Sequence, residues 1–252
     1  MTTILIATRN AHKVVEIRAI LGEGLRYLTL EDVGEAPEVV EDAGTFSGNA
    51  TKKAVALARW LSASLCRQKS RGACQGGPEL RDCEEGLYVL ADDSGLEVDA
   101  LDGAPGVHSA RFAALDTWKP GNSSTAENNA KLLRLLAELP PGKRTGRFRC
   151  VLALTPVVVT GGRGSSPVCY ADEAELGTEL FEGTCEGSIG FGPRGQGGFG
   201  YDPLFLPVGS EQSFAELGEE VKNRLSHRAQ ALAKLKRRLE GKADDFGAGA
   251  GS

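Results

Sequence analysis

The sequence lacks the patterns that mark several common classes of protein. No apolar run approaches the roughly 18 residues of a membrane helix, and no charged segment followed by an apolar one begins the chain, so neither a membrane span nor a secretion signal is predicted. The six cysteines have no short, regular spacing, which favours reduced thiols over a disulfide framework or a zinc site. We therefore expect a cytoplasmic protein.

Charge and glycine patterns exclude further classes. The net charge of -5 and the pI near 5.4 argue against general binding to nucleic acid or to a membrane surface. Neither a Walker A motif nor a Gly-x-Gly-x-x-Gly fingerprint is present, so a P-loop and a Rossmann dinucleotide site are not supported. A negatively charged ligand would need local basic groups rather than a global field.

Apolar segments and helical spacings alternate at the start of the chain and predict an α/β fold. Further along, longer alternating segments predict a group of antiparallel strands beside this opening. The predicted helices cover residues 13–21, 46–65, 126–139 and 226–239, and the predicted strands cover residues 4–7, 27–30, 147–154, 168–176 and 178–189.

A single domain is expected over residues 1–240. Residues 67–86 lose the helical period and gain glycine, proline and charge, which predicts a surface insertion. Residues 241–252 are small and polar and are expected to form a flexible C-terminal tail.

Two adjacent carboxylates, Asp92 and Asp93, follow a short apolar run. The pattern predicts a strand over residues 89–91, a turn of small residues that includes Ser94 and Gly95, and then a second strand. Carboxylates this close repel each other unless a cation or a shared proton intervenes, and a hard ion such as Mg²⁺ would serve. The alternative is a β-turn in which aspartate is only a turn-forming residue.

Polar and basic residues at the first strand-to-helix junction suggest a phosphate site. Thr8, Asn10 and Lys13 lie where a helix start would present free N–H groups and the positive end of its dipole. The alternative is an ordinary helix start with Asn10 as its cap. In the next segment Glu41 could ligate Mg²⁺ and Lys53 could reach phosphate, and the alternative for both is solvated surface.

The glycine-dense segment 197–203 contains Phe199, Tyr201 and Asp202. Flat aromatic faces and a carboxylate are what a nucleobase pocket needs. The alternative is a glycine-rich surface loop with an apolar anchor.

Basic residues follow the predicted N-cap of the last helix. If Ser226 is the cap, His227 and Arg228 lie in the first helical turn, where positive charge opposes the helix dipole. Tolerating that cost suggests a bound oxygen acceptor.

Taken in order, these segments resemble the inosine triphosphate pyrophosphatase family, which includes the bacterial dITP/XTP pyrophosphatases. The resemblance extends from about residue 4 to residue 239, and it departs only at residues 67–86 and 160–167, outside every motif. The matching motifs are Thr8, Asn10 and Lys13; Glu41, Thr45, Phe46, Asn49 and Ala50; Asp-Asp-Ser-Gly-Leu at 92–96; Gly-Ala-Pro-Gly and Ser-Ala-Arg within 103–111; Gly-Gly-Phe-Gly-Tyr-Asp-Pro at 197–203; and Ser-His-Arg at 226–228.

The resemblance implies hydrolysis of aberrant purine nucleoside triphosphates (ITP, dITP and XTP) to the nucleoside monophosphate and pyrophosphate, which removes them from the nucleotide pool. It implies an elongated mixed β-sheet flanked by helices, with a central cleft between two lobes. It also implies Mg²⁺ as the cofactor and a homodimer. Nucleic acid and membranes are not expected as partners.

The same resemblance, together with charge, assigns roles. Asp93 is expected to be catalytic and to hold Mg²⁺ with Glu41, although whether Asp92 or Asp93 is the base stays open. A triphosphate carries about four negative charges, so Lys13, Lys53 and Lys222 are assigned to phosphates, with Phe199 and Tyr201 flanking the purine. The expected substrate-binding residues are Thr8, Arg9, Asn10, Ala11, His12, Lys13, Lys53, Ser94, Phe199, Gly200, Tyr201, Asp202, Lys222, His227 and Arg228.

Arg228 offers a physical route to specificity. Its side chain only donates hydrogen bonds, so it would bond the C6 carbonyl of hypoxanthine or xanthine and leave adenine mismatched, at a cost of about 1–3 kcal/mol. The rejection of guanine, which has the same carbonyl, is not explained. Two other functions stay open: a pyrophosphatase for modified pyrimidine nucleotides, disfavoured by the Ser-His-Arg helix start, and a nucleotide-sensing module, which would not need paired carboxylates.

Overall fold

The computed structural model describes residues 1–71, 86–116, 121–158, 175 and 177–241. The α-helices in these ranges are α1 (Ala11–Leu21), α2 (Phe46–Arg71), α3 (Thr125–Leu135), α4 (Phe214–Leu225, interrupted at Gly218) and α5 (His227–Leu239). The strands are β1 (Thr3–Ile6), β2 (Arg26–Thr29), β3 (Leu87–Val98), β4 (Thr145–Pro156), β5 (Glu179–Ile189) and β6 (Phe205–Pro207). Short 3-10 helices cover Asp99–Leu101, Gly106–Arg111, Ala114–Asp116 and Pro141–Lys143.

These strands form one mixed sheet in the order β2-β1-β3-β4-β5-β6. The strand β1 is parallel to both β2 and β3, whereas β3 to β6 are successively antiparallel. Parallel neighbours need a crossover connection, and α1 and α2 supply it. The predicted mixed sheet with flanking helices is therefore confirmed. None of the described helices combines the length and apolar character needed to cross a bilayer.

Apolar clusters lie at both ends of the long strands β3 and β4. At the β1 end, Val89 packs under α2, and Leu90, on the opposite face, packs under α1 and α5. At the other end, Leu96 packs with α3 and α4. Full burial of an aliphatic side chain contributes about 1.5–3 kcal/mol, so both ends are well anchored. The polar residues 92–95 lie between these clusters.

The strand β3 runs without a break through the residues that were predicted to turn. Asp92 and Asp93 are both paired with β4, and the antiparallel register continues to Val98. The predicted turn is wrong because the small residues serve close packing instead. A Cβ atom on Gly95 would lie 2.4 Å from Ser109 Oγ in the adjacent 3-10 helix.

Other boundaries differ from the prediction. The helix α2 extends to Arg71, five positions into the segment 67–86 that was predicted as a surface insertion, and residues 72–85 lie outside the described ranges. The helix α3 ends at Leu135 rather than at residue 139. The predicted strand 168–176, apart from Glu175, and the tail from residue 242 also lie outside the described ranges.

The helix α4 and the short strand β6 were not predicted. The start of α4 has a capping box, in which the Ser213 side chain accepts from the backbone of Glu216 and the Glu216 carboxylate accepts from the backbone of Ser213. This Ser-x-x-Glu spacing is a readable signal. Gly218, with a φ of 79°, interrupts the helix and obscures its period.

The helix α5 packs closely against β5 at Gly183, and a substitution there can test this contact. Its added Cβ in Gly183→Ala would lie 2.0 Å from the His227 carbonyl oxygen, so α5 must shift. We expect the free energy of unfolding to fall by about 1–3 kcal/mol in a denaturant titration, as for overpacked cores. Gly142→Ala, where nothing lies within 4 Å of the added Cβ, is the control. Equal effects of the two substitutions would contradict the close approach of α5.

Candidate active site

Asp92 and Asp93 lie on opposite faces of the sheet, because successive side chains of a strand alternate. The Asp92 carboxylate points towards α1 and α5, where Lys13 and Arg228 contact it. The Asp93 carboxylate points towards α2, where Asn49 contacts it. The expectation that these two carboxylates repel each other and face one cation is therefore wrong, since each has its own partners.

Asp92 is the centre of a buried ion-pair network. Its Oδ1 contacts the Lys13 ammonium and accepts from Ser94 Oγ at 2.8 Å. Its Oδ2 accepts from Arg228 Nε at 2.8 Å and from the Cys150 thiol at 3.4 Å. Burial by itself would raise the pKa of Asp92, but Arg228 and Lys13 hold that pKa well below its usual range. Asp92 is therefore suited to hold cations rather than to accept a proton.

Glu16 joins this network to a second pair of charges. One of its carboxylate oxygens accepts from Arg228 Nη1, and the other lies 2.7 Å from Lys222 Nζ. Lys222 Nζ also lies 2.7 Å from Asp202 Oδ2. Both cations are buried, so these carboxylates compensate positive charges that water does not reach.

The Phe199 ring lies over these cations. Asp202 Oδ2 accepts from the Phe199 backbone N–H at 2.7 Å, which fixes the glycine-rich loop. The ring centroid is 4.3 Å from Lys222 Nζ, and the ring stacks on the His12 imidazole at a centroid separation of 5.3 Å. The structure thus brings together the start of α1, the glycine-rich loop and the α4–α5 junction.

Two residues predicted to bind substrate lie in the apolar core instead. Tyr201 is 4% exposed, and its hydroxyl donates to the Ser109 carbonyl at 2.9 Å. His227 is equally buried and stacks on Phe148 with centroids 4.7 Å apart. Burial raises the pKa of Tyr201, and burial together with the neighbouring cations lowers the pKa of His227 well below its usual range. Of the predicted aromatic pair, Phe199 alone remains beside the site.

The start of α1 has the polar arrangement that the sequence indicated. Asn10 is the N-cap, since its Oδ1 accepts from the backbone N–H groups of His12 at 3.0 Å and Lys13 at 3.4 Å. The Asn10 backbone N–H donates to Thr8 Oγ1 at 3.2 Å. The capping role of Asn10 is therefore confirmed, and it does not exclude an anion at the exposed positions Arg9, Ala11 and His12.

On the α2 face, Asp93 has a different environment. Asn49 Nδ2 donates to Asp93 Oδ2 at 3.0 Å, while Lys53 Nζ lies 2.6 Å from Glu41 Oε1. Burial is the main cause that raises the pKa of Asp93 to about 6; Lys13, Asn49 and Lys53 oppose this rise, and Glu41 adds to it. A carboxyl with this pKa can exchange a proton near neutral pH.

Glu41 and Asp93 together suit a divalent cation. Mg²⁺ binds proteins through one or two carboxylates and completes its shell with water and substrate phosphates. Within the described ranges, no group of three or more His, Cys, Asp and Glu side chains could hold a metal ion. The donor set therefore fits Mg²⁺ with phosphate and does not fit a closed, all-protein metal site.

Most of the hydrogen-bond donors of Arg228 are engaged in this arrangement. Its Nε, Nη1 and Nη2 atoms donate to Asp92, Glu16 and Ser94, the last at 2.8 Å. The Ser94 hydroxyl has its one donor engaged as well, because it donates to Asp92, and it accepts from Arg228. The predicted contact of Arg228 with a purine carbonyl would use the second N–H of Nη1, or it would require Arg228 to exchange one of its present partners.

The role of two residues in this site was missed from the sequence. Glu16 lies three positions after Lys13 on α1, so the two share one helix face, and this spacing was a usable signal. Asn49 belongs to a recognised motif, but its partner Asp93 is 44 positions away along the chain. No local pattern could have paired them.

Asp93→Asn should stabilise the metal-free protein at neutral pH. The unfolded pKa is about 3.9, and the folded pKa is about 6. The folded state therefore binds the proton more tightly, and stability falls as the pH rises through this window, by up to about 3 kcal/mol.

This effect is measurable by urea unfolding in EDTA at pH 4 and pH 8. The gain in the free energy of unfolding for Asp93→Asn over wild type should be larger at pH 8. Asp99→Asn is the control, because a hydrogen bond from Thr145 lowers the pKa of that carboxyl. This substitution should lower the free energy of unfolding relative to wild type, and more so at pH 8 than at pH 4. The same gain for Asp93→Asn at both pH values would contradict a raised pKa.

Comparison with known proteins places the chain in a family. The Ham1 family model matches residues 4–238. The chain is 42% identical over 241 residues to the dITP/XTP pyrophosphatase of Geobacter sulfurreducens, covering 95% of this chain and 97% of that protein. It is 40% identical over 237 residues to the dITP/XTP pyrophosphatase of Opitutus terrae, covering 91% of this chain and 95% of that protein.

Solved structures of similar proteins indicate the same family. A HAM1 protein from Coxiella burnetii is 31% identical with a TM-score of 0.68, covering 96% of this chain and 100% of that one. A nucleoside-triphosphatase, or dITP/XTP pyrophosphatase, from Mycobacterium abscessus is 35% identical with a TM-score of 0.58, and the match covers 93% of this chain and 98% of that one. The resemblance expected from the motifs is thereby confirmed: the chain belongs to the Ham1 family.

Proposed function

We propose that the protein hydrolyses the aberrant purine nucleoside triphosphates ITP, dITP and XTP to the nucleoside monophosphate and pyrophosphate, and so removes them from the nucleotide pool. The observation that carries this proposal is the Asp93 carboxyl, which is buried near Glu41 with a pKa of about 6. The charges of Lys13 and Lys53 act on this carboxyl, and Lys13 lies at the start of α1, so cations and free helix N–H groups that a triphosphate requires are close by. The dITP/XTP pyrophosphatases among its relatives support the choice of purine substrates.

The phosphate groups would contact Lys13, Lys53 and the start of α1. The two lysine side chains are 15% and 14% exposed, so each can exchange its present carboxylate partner for phosphate oxygens. The first N–H groups of a helix add anion-binding donors. Lys222 is only 3% exposed and lies beneath Phe199, which makes it a neighbour of the base rather than of the phosphates.

Asp93 would act as the general base and, with Glu41, as a ligand of Mg²⁺. When bound, Mg²⁺ would neutralise phosphate charge and polarise the phosphoryl group. Asn49 bonds one oxygen of Asp93, and no described donor bonds the other, Oδ1, in the structure. That oxygen is positioned to accept the proton of the attacking water. Lys13 and Lys53 would compensate charge that develops on the phosphate.

The base would stack on Phe199, close to Gly200 and Asp202. Base–aromatic stacking contributes about 1–3 kcal/mol per base. Beneath this ring lie Lys222 and Arg228, which only donate hydrogen bonds, so a carbonyl at C6 is favoured over an amino group. The buried carboxylates of the network position these donors.

We also propose that the protein is a cytoplasmic homodimer. Both statements rest on the family resemblance and on the predicted reduced state of the cysteines, and light scattering on the purified protein would measure the mass of the assembly.

A nucleotide panel tests the reaction. With Mg²⁺, we expect release of pyrophosphate from ITP and XTP at least tenfold faster than from ATP or TTP, and no release in EDTA. Asp93→Asn should lower kcat by about 10²–10⁴, the usual contribution of a general base. Equal turnover of ATP and ITP would contradict the specificity, preference for TTP would favour a pyrimidine enzyme, and tight binding without turnover would favour a sensor.

Phe199→Ala is expected to raise KM for ITP about tenfold because the stacking face is lost. Tyr201→Phe is the matched control: it keeps the core ring, removes the bond to the Ser109 carbonyl, and should lower the free energy of unfolding by about 1 kcal/mol with KM unchanged. Steady-state kinetics and urea unfolding measure both effects. The reverse pattern would place Tyr201, rather than Phe199, against the base.

A further inference from the structure

The Asn49 side chain joins the two segments that carry the proposed metal ligands. It is 1% exposed and lies in the first turn of α2. Its Nδ2 donates to Asp93 Oδ2 at 3.0 Å, and its Oδ1 accepts from the Ala43 backbone N–H at 2.9 Å. A single amide therefore contacts both β3 and the loop that follows Glu41.

The helix itself does not need this side chain. Thr45 caps α2, because its Oγ1 accepts from the Gly48 backbone N–H at 3.1 Å. Its carbonyl accepts from the Asn49 backbone N–H, also at 3.1 Å. Both hydrogen bonds of the Asn49 amide are tertiary contacts, and a helix start would form equally well with another residue at this position.

The chemistry of the two contacts selects an amide in one orientation. In the reversed orientation, Oδ1 would face the Asp93 carboxylate and Nδ2 would face the Ala43 N–H, so that like groups would oppose each other. An aspartate at position 49 could not donate to Asp93, and an aliphatic residue could satisfy neither contact. Asparagine has both a donor and an acceptor on one short, planar group.

The neutrality of this donor separates Asp93 from Asp92. On the other face of the sheet, Lys13 and Arg228 contact Asp92 and compensate its charge. Asn49 fixes one oxygen of Asp93 without adding a positive charge. The negative charge of Asp93 therefore remains available to a cation, and the lone pairs that Asn49 does not use remain available for a metal ion and for a proton.

We infer that Asn49 is a positioning residue for the metal site: it orients the Asp93 carboxylate and holds the loop of Glu41 so that both carboxylates face one divalent cation. This inference rests on the proposed function, because it takes Glu41 and Asp93 as the metal ligands. Partners that orient metal ligands typically change metal affinity by 10- to 100-fold when they are removed.

The test uses Mn²⁺ as the probe and the full chain without nucleotide. Binding is followed by the loss of the free Mn²⁺ signal in electron paramagnetic resonance for wild type, Asn49→Leu, Asp93→Asn and the double variant. We expect Asn49→Leu to weaken Mn²⁺ binding about 10-fold or more in the wild-type background and by a clearly smaller factor in the Asp93→Asn background, where only the contact with the loop of Glu41 is left to lose. Asn49→Ser, too short to reach either partner, should behave like Asn49→Leu and replaces it if that variant does not fold.

Thr45→Ala is the matched control. It removes the cap of the same helix without touching Asp93, so it should lower the free energy of unfolding and leave Mn²⁺ affinity unchanged. In steady-state kinetics, Asn49→Leu should lower kcat about 10-fold or more and change KM for ITP less than twofold.

The outcomes separate this inference from the proposed function. If Asp93→Asn weakens Mn²⁺ binding but Asn49→Leu does not, or if Asn49→Leu acts equally in both backgrounds, the positioning role is refuted and the metal site stands. If Asp93→Asn leaves Mn²⁺ affinity unchanged, the assignment of the metal ligand fails and the inference fails with it.

Discussion

The buried ion pair between Asp92 and Arg228 is the interaction on which the arrangement of the site depends. Its members are 136 positions apart, one in the middle of β3 and the other in the first turn of α5. Removing one member of such a pair leaves an uncompensated buried charge, at a cost of about 3–5 kcal/mol. Because Lys13 and Glu16 of α1 bind the same two residues, this pair fixes both helices against one face of the sheet.

Because β3 continues through Asp92 and Asp93, these two adjacent aspartates have different surroundings. Strand alternation directs Asp92 into a positive environment and Asp93 towards a neutral amide on α2. The pKa of Asp92 is lowered and that of Asp93 is raised, although both side chains are buried. Neighbouring charge rather than burial therefore distinguishes a residue that holds the structure from one that can take up a proton.

Much of the fold followed from local patterns. The strand–helix–strand opening, the cap at Asn10 and the long strands β4 and β5 were all readable from periodicity and capping signals. The break predicted at residues 92–95 was wrong, because small residues have two uses that a single sequence does not separate. They form turns, and they also allow close packing, as Gly95 does against Ser109. The helix α4 was missed because Gly218 interrupts its period.

The motifs also located the residues of the site, since a resemblance that extends in order along the chain identifies the segments. The tertiary structure decided which of those residues face each other. It placed Tyr201 and His227 in the core, left Phe199 beside the site, and engaged most of the donors of Arg228 with two carboxylates and the Ser94 hydroxyl.

By itself, the sequence determined the mixed α/β fold, the family and the set of segments that form the site, because periodicity and motif order are properties of the chain. Only the tertiary structure decided the different surroundings of Asp92 and Asp93 and the contacts of Glu16 and Asn49 with the residues of the candidate site. The physical reason is that a pKa and a hydrogen-bond partner depend on groups brought close in space. For Asp92 and Asp93, those groups come from helices that are far apart along the chain and lie on opposite faces of the sheet.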